Sequence, residues 1–198
     1  MSDEKRPYRM KARAELERQT RLRIVRSAVA LHGSVGPART TIGALADHAG
    51  VRRSTVYRHF PDEAALFAAC SAHWSTSDPL PNLATWAEIR NCEERLARAL
   101  SELYQHYERN QQMMTNILRD EAAMPVITPH LDHYRHYLLA ARRVLMEGRL
   151  EIGSSRFLAE AAIGHALAFY TWHSLTRDQT LALDHALQLM LSLVRNAS

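Results

Sequence analysis

The spacing of apolar residues predicts helices along almost the whole chain. Beyond Glu15, apolar side chains recur three and four positions apart, as they do on one face of an amphipathic helix. The first such group is Leu22, Val25, Ala28 and Val29. Alternation of apolar and polar residues never persists long enough to predict a strand, and the helix-favouring residues Ala, Leu, Arg and Glu dominate. The pattern therefore predicts an all-α fold, with a small N-terminal unit followed by a larger helical bundle.

Glycine, proline and helix-capping residues divide the chain into segments. Residues 1–14 are polar, basic and without periodicity, so a disordered arm is expected there. The predicted helices lie near residues 15–32, 41–49, 52–60, 62–75, 85–109, 111–123, 128–147, 155–175 and 179–195. We expect the first compact unit at residues 15–61 and the second at residues 62–198.

Positive charge is concentrated near the N-terminus. Residues 1–60 contain 13 Lys and Arg against 5 Asp and Glu, a net charge of +8, whereas residues 61–198 contain 12 against 16, a net charge of −4. Lys5 and Lys11 are the only lysines, and an arginine fork can bind two acceptors of a phosphate or a guanine edge at once. A GC-rich genome would also favour arginine, so the origin of this composition stays open. The charge asymmetry itself predicts a polyanionic partner for the N-terminal end.

Several classes of protein find no support in the sequence. The charged N-terminus has no apolar signal segment and no stretch is apolar for the ~18 residues of a membrane span, which predicts a cytoplasmic protein. Cys70 and Cys92 form no CxxC pair and are expected to be reduced, buried thiols. Phosphate-binding, nucleophile-elbow and zinc-protease motifs are absent, so we expect neither an enzyme nor a cofactor.

Residues 40–60, TTIGALADHAGVRRSTVYRHF, carry the most specific pattern in the chain. Ala46 is small where two short helices must cross closely, and Gly50 occupies the turn between them. The apolar seam of the two helices is predicted to consist of Leu45, Val51 and Val56. This spacing is typical of a helix-turn-helix motif, whose second helix is narrow enough to enter the major groove of DNA.

The second helix leaves its outer side free for polar and basic residues. The candidate DNA contacts are Thr40, Thr41, Arg52, Arg53, Ser54, Thr55, Tyr57, Arg58 and His59. These side chains can donate hydrogen bonds to phosphate oxygens or to the acceptors of guanine. For Tyr57 and Phe60 the alternative is core packing beneath the helix, which burial statistics favour for Phe60. Tyr57 can pack its ring and still offer its hydroxyl.

Here the sequence resembles the tetracycline-repressor (TetR) family over about residues 20–70. The matching residues are Thr41, Ile42, Leu45, Ala46, Ala49, Gly50, Val51, Thr55, Val56, Tyr57, His59, Phe60 and Leu66. The resemblance implies that Thr41 caps the first short helix and touches phosphate, and that Thr55 and Tyr57 contact the DNA backbone. It also implies that Arg53, Ser54 and Arg58 face base edges or phosphates.

Three residues depart from the pattern of that family. Arg52 replaces the usual serine, so the second helix loses its side-chain cap and gains a cation; Ser54 replaces a flexible glycine. Glu63 stands where a lysine usually opens the fourth helix, and its carboxylate favours a helix N-terminus but repels a nearby phosphate. The basic residues of the arm, together with Arg52 and Arg53, are expected to compensate electrostatically. The arm contributes Lys5, Arg6, Arg9, Lys11 and Arg13.

The last two predicted helices are apolar on more than one face, whereas a surface helix needs a single apolar stripe. The excess predicts a second buried contact, and the resemblance implies a four-helix dimer interface. The candidate interface residues are Ala162, Ala166, Phe169, Leu183, Leu187, Met190, Leu191 and Val194. A monomeric core that is apolar all round is the alternative. A twofold dimer would also let two short recognition helices read a palindrome.

Aromatic and methionine residues of the central helices are candidates for an effector cavity, although such residues also form ordinary cores. The candidate ligand contacts are Trp86, Tyr104, Met113, Met114, Ile117, Tyr134, Tyr137, Phe169 and Trp172. His130, His133 and His136 recur at three-residue intervals, but the outer two rotate apart on a helix. We expect a solvated histidine face there and no metal site.

Together these features predict a homodimer that binds a palindromic double-stranded DNA operator, and the resemblance implies that it acts as a repressor. Residues 15–61 would bind DNA, and residues 62–198 would bind a small apolar or aromatic effector and dimerise. An activator, or an architectural DNA-binding protein without an effector, is the alternative.

Overall fold

A computed structural model of the chain describes the backbone of residues 5–197 and the side chains of residues 10–197. Within these residues the chain forms ten α-helices and no strand, which confirms the all-α prediction. The helices are α1 Lys5–Ser34, α2 Ile42–Ala49, α3 Arg53–His59, α4 Glu63–Ser77, α5 Leu83–Ala87, α6 Cys92–Asp120, α7 Thr128–Met146, α8 Gly153–Leu167, α9 Phe169–His173 and α10 Leu183–Ala197. No helix in this part of the chain is both long and apolar enough for a bilayer.

The first helix begins at Lys5, so the prediction of a disordered arm is wrong for residues 5–14; residues 1–4 lie outside the described residues. Pro7 lies in the first turn, where a missing N–H costs nothing. The following residues, MKARAELE, have high helix propensity. Glu15 accepts hydrogen bonds from Arg18 and Gln19, which stabilises this exposed part of the helix.

The first compact unit contains the chain up to Ser77 together with Gln112–His130. Its boundary lies beyond the predicted residue 61 because α4 packs against α1 in one shared core. That core is formed by Ile24, Val25, Ala28, Leu45, Ala46, Ala49, Val56, Phe60, Leu66 and Cys70. Burial raises the pKa of the Cys70 thiol to about 12, so Cys70 is an uncharged core residue.

The second unit contains Asp78–Gln111 and the chain from Leu131 onward. The sequence predicted helices at residues 85–109 and 111–123; the structure has the short α5 and then α6, which runs unbroken past Asn110. The side chain of Asn91 accepts hydrogen bonds from the backbone N–H groups of Glu93 and Glu94 and so starts α6. Asn110 lies inside α6, where its side-chain amide donates to the carbonyl of His106 at 2.9 Å.

The predicted helix at residues 155–175 is interrupted at Ala168, whose backbone is extended with φ −71° and ψ 136°. The break exposes two carbonyls to tyrosine hydroxyls of α6. Tyr104 donates to the carbonyl of Ala166 at 2.9 Å and Tyr107 donates to that of Leu167 at 2.7 Å. Both tyrosines are fully buried, and their hydroxyls therefore satisfy carbonyls that would otherwise be buried without a partner.

We expect Tyr107→Phe to destabilise the protein by about 1–3 kcal/mol, because the buried carbonyl of Leu167 loses its donor and the hydroxyl of Tyr134 keeps only its bond to the backbone of Phe169. Urea unfolding should show a lower midpoint with an unchanged slope. Tyr170→Phe is the matched control, since Tyr170 is 62% exposed. Equal midpoints for wild type and Tyr107→Phe would contradict the assigned role of the hydroxyl.

Candidate nucleic-acid interface

The first helix of the motif, α2, is fixed at both ends by its own residues. The side chain of Thr41 caps the N-terminus by accepting a hydrogen bond from the N–H of Ala44 at 3.1 Å. Gly50 ends the helix in the left-handed conformation, with φ 61° and ψ 42°, and the N–H of Val51 bonds back to the carbonyl of Ala46. A residue with a side chain would be strained at position 50, so glycine sets the turn into α3.

Two apolar side chains anchor the second helix, α3, to the core. Val56 and Phe60 are buried, and the guanidinium of Arg21 lies 4.4 Å from the centre of the Phe60 ring. Phe60 is thus the core residue that burial statistics favoured. Tyr57 is 55% exposed and does not belong to the core cluster that contains Val56 and Phe60.

The predicted DNA contacts lie around this exposed side of α3 and at the start of α2. Thr41, Arg52, Arg53, Ser54, Tyr57 and Arg58 are exposed, whereas Thr40, Thr55 and His59 are half-buried. Arg52 precedes α3 and its side chain forms no cap, as expected from the loss of the usual serine. All nine residues belong to the first unit, and six of them present their side chains to solvent.

Gly43 is a residue of this surface that the sequence did not single out. A Cβ atom at position 43 would lie 2.6 Å from Nη2 of Arg53, so the glycine lets that guanidinium lie against α2. Glycine is unfavourable inside a helix as short as α2. A glycine at such a position in the sequence could have indicated that another group lies close to the helix backbone.

His59 is held uncharged at neutral pH by its surroundings. Burial and the neighbouring cation of Arg58 lower its pKa, and Arg21 adds to this effect while Glu17 opposes it. The Nε2 atom of His59 is buried and has no hydrogen-bond partner within the described residues. This ring nitrogen could therefore form one further hydrogen bond beside the basic surface of α3.

The start of α4 carries two carboxylates, one of which caps the helix, where the resemblance implied a lysine. The side chain of Asp62 accepts a hydrogen bond from the N–H of Ala65 at 2.7 Å. Glu63 is the exposed first residue of the helix, where its charge is favoured by the helix dipole. The two carboxylates therefore stabilise the N-terminus of α4, but their negative charge repels a phosphate.

The three histidines of α7 lie in different surroundings. His130 packs on the ring of Phe67 with centroids 5.1 Å apart, while His133 and His136 are exposed. Nδ1 of His136 lies 2.7 Å from the backbone oxygen of Asp132. No group of three or more potential metal ligands is present among the described residues.

The predicted ligand contacts are not assembled into one site. Met113, Met114 and Ile117 belong to the first unit, where Met113 and Ile117 border a cavity of about 10 Å³, room for roughly one water molecule. The other six, Trp86, Tyr104, Tyr134, Tyr137, Phe169 and Trp172, belong to the second unit. Four of these six pack around Tyr107, which the sequence did not single out; its ring centre lies 5.4 Å from that of Phe169.

Five of the eight predicted dimer contacts are already buried within one chain: Ala162, Ala166, Phe169, Met190 and Val194. The four of them on α8 and α10 face inward because these two helices pack against each other and bury one face of each. Other apolar side chains of α8 and α10 remain exposed and are named here the outer face. Its large side chains are Phe157, Leu158, Leu189 and Leu193, which are 72%, 54%, 47% and 40% exposed.

Two short helices joined by a left-handed glycine turn, with the polar side of the second exposed, define a helix-turn-helix DNA-binding domain. Residues 24–70 match the N-terminal domain of the bacterial regulatory proteins of the tetR family. This segment of the chain is therefore similar to the DNA-binding domain of TetR-family transcriptional regulators. A search among curated protein sequences finds no significant match.

Solved structures of TetR regulators share the fold over most of the chain. A TetR-like regulator from Rhodococcus sp. RHA1 has a TM-score of 0.65 at 18% identity, covering 88% of this chain and 93% of that one. A tetR-family regulator from Streptomyces coelicolor has a TM-score of 0.59 at 19% identity, covering 89% and 80%. A TetR regulator from Haloarcula marismortui has a TM-score of 0.60 at 15% identity, covering 90% and 97%.

Proposed function

We propose that the protein is a repressor that binds a palindromic operator as a homodimer and is released by a small apolar or aromatic effector. The observation that carries the proposal is the exposed side of α3, where Arg53, Tyr57 and Arg58 face solvent beside the capped start of α2. Arginine on a helix that can enter the major groove is the usual reader of guanine. Binding there would exclude other proteins from the same DNA.

The homodimer is supported by the outer face of α8 and α10. Phe157, Leu158, Leu189 and Leu193 expose large apolar side chains on two helices that pack together, and exposed apolar surface of this kind is typical of an interaction site. A second copy would cover this face isologously. The two recognition helices of such a dimer would then address half-sites about one DNA turn apart, or a multiple of that spacing.

An effector site is best supported by the aromatic cluster of the second unit. Phe169 and Trp172 pack with centroids 5.5 Å apart, and both contact Tyr107. The indole N–H of Trp172 is buried without an acceptor among the described residues, so a ligand that offers an oxygen or an aromatic face would gain a hydrogen bond there. An effector can release DNA only through a difference in its affinity for the two states.

Selection from a pool of random duplexes tests the proposal directly. The wild-type protein should enrich one short palindrome, and footprinting should show protection of that sequence alone. Uniform coating of all duplexes would favour the architectural alternative. Binding of the enriched palindrome with unchanged affinity across a panel of aromatic and apolar small molecules would argue against effector release by that class of ligand.

The helical extension of α1 is expected to contribute to affinity through charge. Replacing Lys11 and Arg13 by glutamine should reduce the dependence of log Kd on log salt by about 0.9 for each phosphate that the variant no longer neutralises. Both side chains are exposed and distant in sequence from the core residue Ile24, so stability should not change. Arg143→Gln, on α7, is the control for a loss of charge outside the DNA-binding domain. An unchanged slope would remove this segment from the interface.

His59 should make binding stronger at lower pH. In the free protein its pKa is lowered, and an approaching phosphate would favour the charged form, so the complex would take up a proton. Affinity for the selected palindrome should therefore rise as the pH falls from about 7.5 to about 6. His59→Gln should flatten this dependence, whereas His48→Gln, on exposed α2, should retain it.

A second histidine, His32, limits the pH range over which DNA affinity can be measured on folded protein. Burial lowers the pKa of His32 from 6.5 to about 4. Because its folded pKa lies below its unfolded value, folding stability is lost as the pH falls from about 6.5 towards 4. Measurements should therefore end near pH 6, with circular dichroism confirming the fold. A wild-type profile that stays flat under these conditions would contradict a role for His59.

A further inference from the structure

Three polar residues near the end of α6 form a cluster that bonds to backbone rather than to surface side chains. They are Asn116, Arg119 and Asp120, named here the α6 cluster. Asn116 and Asp120 are 1% and 5% exposed. Polar groups buried to this degree require partners, and the position of those partners shows what the cluster holds in place.

The α6 cluster holds the C-terminal end of α1. The side-chain amide of Asn116 donates to the carbonyls of His32 and Gly33, both at 2.9 Å. These carbonyls belong to the last turn of α1, where no further helical N–H group is available to bond them. Arg119 extends the contact by donating to the carbonyl of Val35 at 3.1 Å.

The same cluster holds the turn that leads into α2. Asp120 accepts a hydrogen bond from the N–H of Ala38 at 3.0 Å, within the helical turn Pro37–Arg39. Arg119 lies against Asp120 and donates to both of its carboxylate oxygens. Burial opposes ionisation of Asp120, but the hydrogen bonds from Arg119 and Ala38 lower its pKa, so it remains charged.

The helical turn Pro37–Arg39 is connected by hydrogen bonds to the predicted DNA contacts that follow it. The N–H of Thr40 bonds to the carbonyl of Pro37 at 3.0 Å, and the hydroxyl of Thr40 donates to the carbonyl of Gly36 at 2.8 Å. Thr41 follows directly and caps α2. Segment 36–41 therefore has little freedom to move once Ala38 is bonded to Asp120.

Gly36 shows how closely the cluster approaches the turn. Its φ of +98° lies in a region that side chains disfavour, and a Cβ atom there would also collide with Arg119 and with Oδ2 of Asp120. Two independent constraints thus require glycine at this position. The approach of Arg119 and Asp120 to the backbone is possible only because position 36 has no side chain.

We propose that the α6 cluster is a positioning device for DNA binding, which fixes segment 36–41 so that Thr41 meets a phosphate of the operator. The residues of the cluster touch no DNA themselves; they act through the backbone that they hold. This inference rests on the proposed function, because it assumes that the protein binds a specific duplex. The affinity for DNA would then depend on these three residues of α6 as well as on the residues that contact DNA.

The test uses the full-length protein and the palindromic duplex enriched by the wild type. Asp120→Ala and Arg119→Ala should each raise Kd roughly tenfold, about the effect of losing one hydrogen bond to phosphate. Gln105→Ala is the matched control on the same helix, since Gln105 is exposed and its side chain donates to the hydroxyl of Ser101 on the preceding turn. Its Kd should equal that of the wild type.

A double-mutant cycle separates positioning from general destabilisation. In a Thr41→Ala background the contact that the cluster is proposed to place is already absent, so Asp120→Ala should raise Kd by much less than tenfold. In an Arg58→Ala background that contact remains, and Asp120→Ala should have its full effect. A variant that merely loosens the fold would weaken binding equally in both backgrounds.

Each outcome supports or overturns the inference. Unchanged Kd values for Asp120→Ala and Arg119→Ala, or equal effects in the two backgrounds, would overturn it while leaving DNA binding intact. Failure of the wild type to enrich any duplex would instead refute the proposed function. If circular dichroism shows that Asp120→Ala is unfolded, the same cycle with Arg119→Ala decides the question, because the Arg119 side chain is 42% exposed and its loss leaves the core filled.

Discussion

Replacing both Arg53 and Arg58 by alanine should reduce the affinity for the selected palindrome by roughly a hundredfold or more. Each arginine is exposed on α3, and a bidentate contact with a guanine contributes about 1–3 kcal/mol of discrimination. The stability of the free protein should not change, since neither side chain forms part of the core. Fluorescence anisotropy with the palindrome and with a scrambled duplex would measure both the affinity and the specificity.

Lysine substitutions distinguish charge from geometry at the same positions. Lysine retains the positive charge but not the planar fork, so Arg53→Lys and Arg58→Lys should keep non-specific binding and lose discrimination between the two duplexes. Arg143→Ala, outside the DNA-binding domain, should leave both affinities unchanged. If the double alanine variant discriminated as well as the wild type, α3 would not be the recognition helix.

A charge on the outer face of α8 and α10 should abolish both dimerisation and specific binding. Leu189→Arg and Phe157→Glu introduce an ion into a surface that a second copy would bury, where an unpaired charge is strongly unfavourable. Because these side chains are 47% and 72% exposed in the single chain, the folded monomer should tolerate the substitutions. We expect monomers in analytical ultracentrifugation, and affinity for the palindrome reduced to the level of non-specific DNA.

The control for this prediction is Leu139→Arg on α7, where a leucine of similar exposure, 44%, lies outside the α8 and α10 face. It should leave the sedimentation of the protein unchanged. Monomers that still bound the palindrome with wild-type affinity would separate dimerisation from recognition. Dimers that persisted in both charged variants would place the interface elsewhere on the chain.

The motif was predictable because its signals are local. A capping threonine at 41, a glycine at 50 and buried apolar residues such as Val56 determine two short helices and their crossing without distant contacts. The interruption of α8 at Ala168 was not predictable, since alanine is the best helix former. The break is associated with two tyrosine hydroxyls about sixty positions earlier in the chain.

The faces of α8 and α10 illustrate a second limit. The sequence correctly indicated more apolar surface than one contact needs, but periodicity does not determine which stripe faces the chain's own core. Met190 and Val194 were predicted as dimer contacts and are buried inside, while their neighbours Leu189 and Leu193 are exposed. Ligand contacts were harder still, because a buried tyrosine that lines a cavity and one that fills a core have the same sequence pattern.

The compact unit that contains the helix-turn-helix is not a continuous piece of chain. The hydrogen bonds of Asn116 and Asp120 to residues 32–38 belong to the same compact unit as the helix-turn-helix, although α5 and most of α6 separate these two residues from α4 along the chain. A fragment that ended at Ser77 would leave the carbonyls of His32 and Gly33 without their donor. Exchange of recognition domains between relatives, in the laboratory or in evolution, would therefore preserve this unit only if residues 112–130 travelled with the first 77.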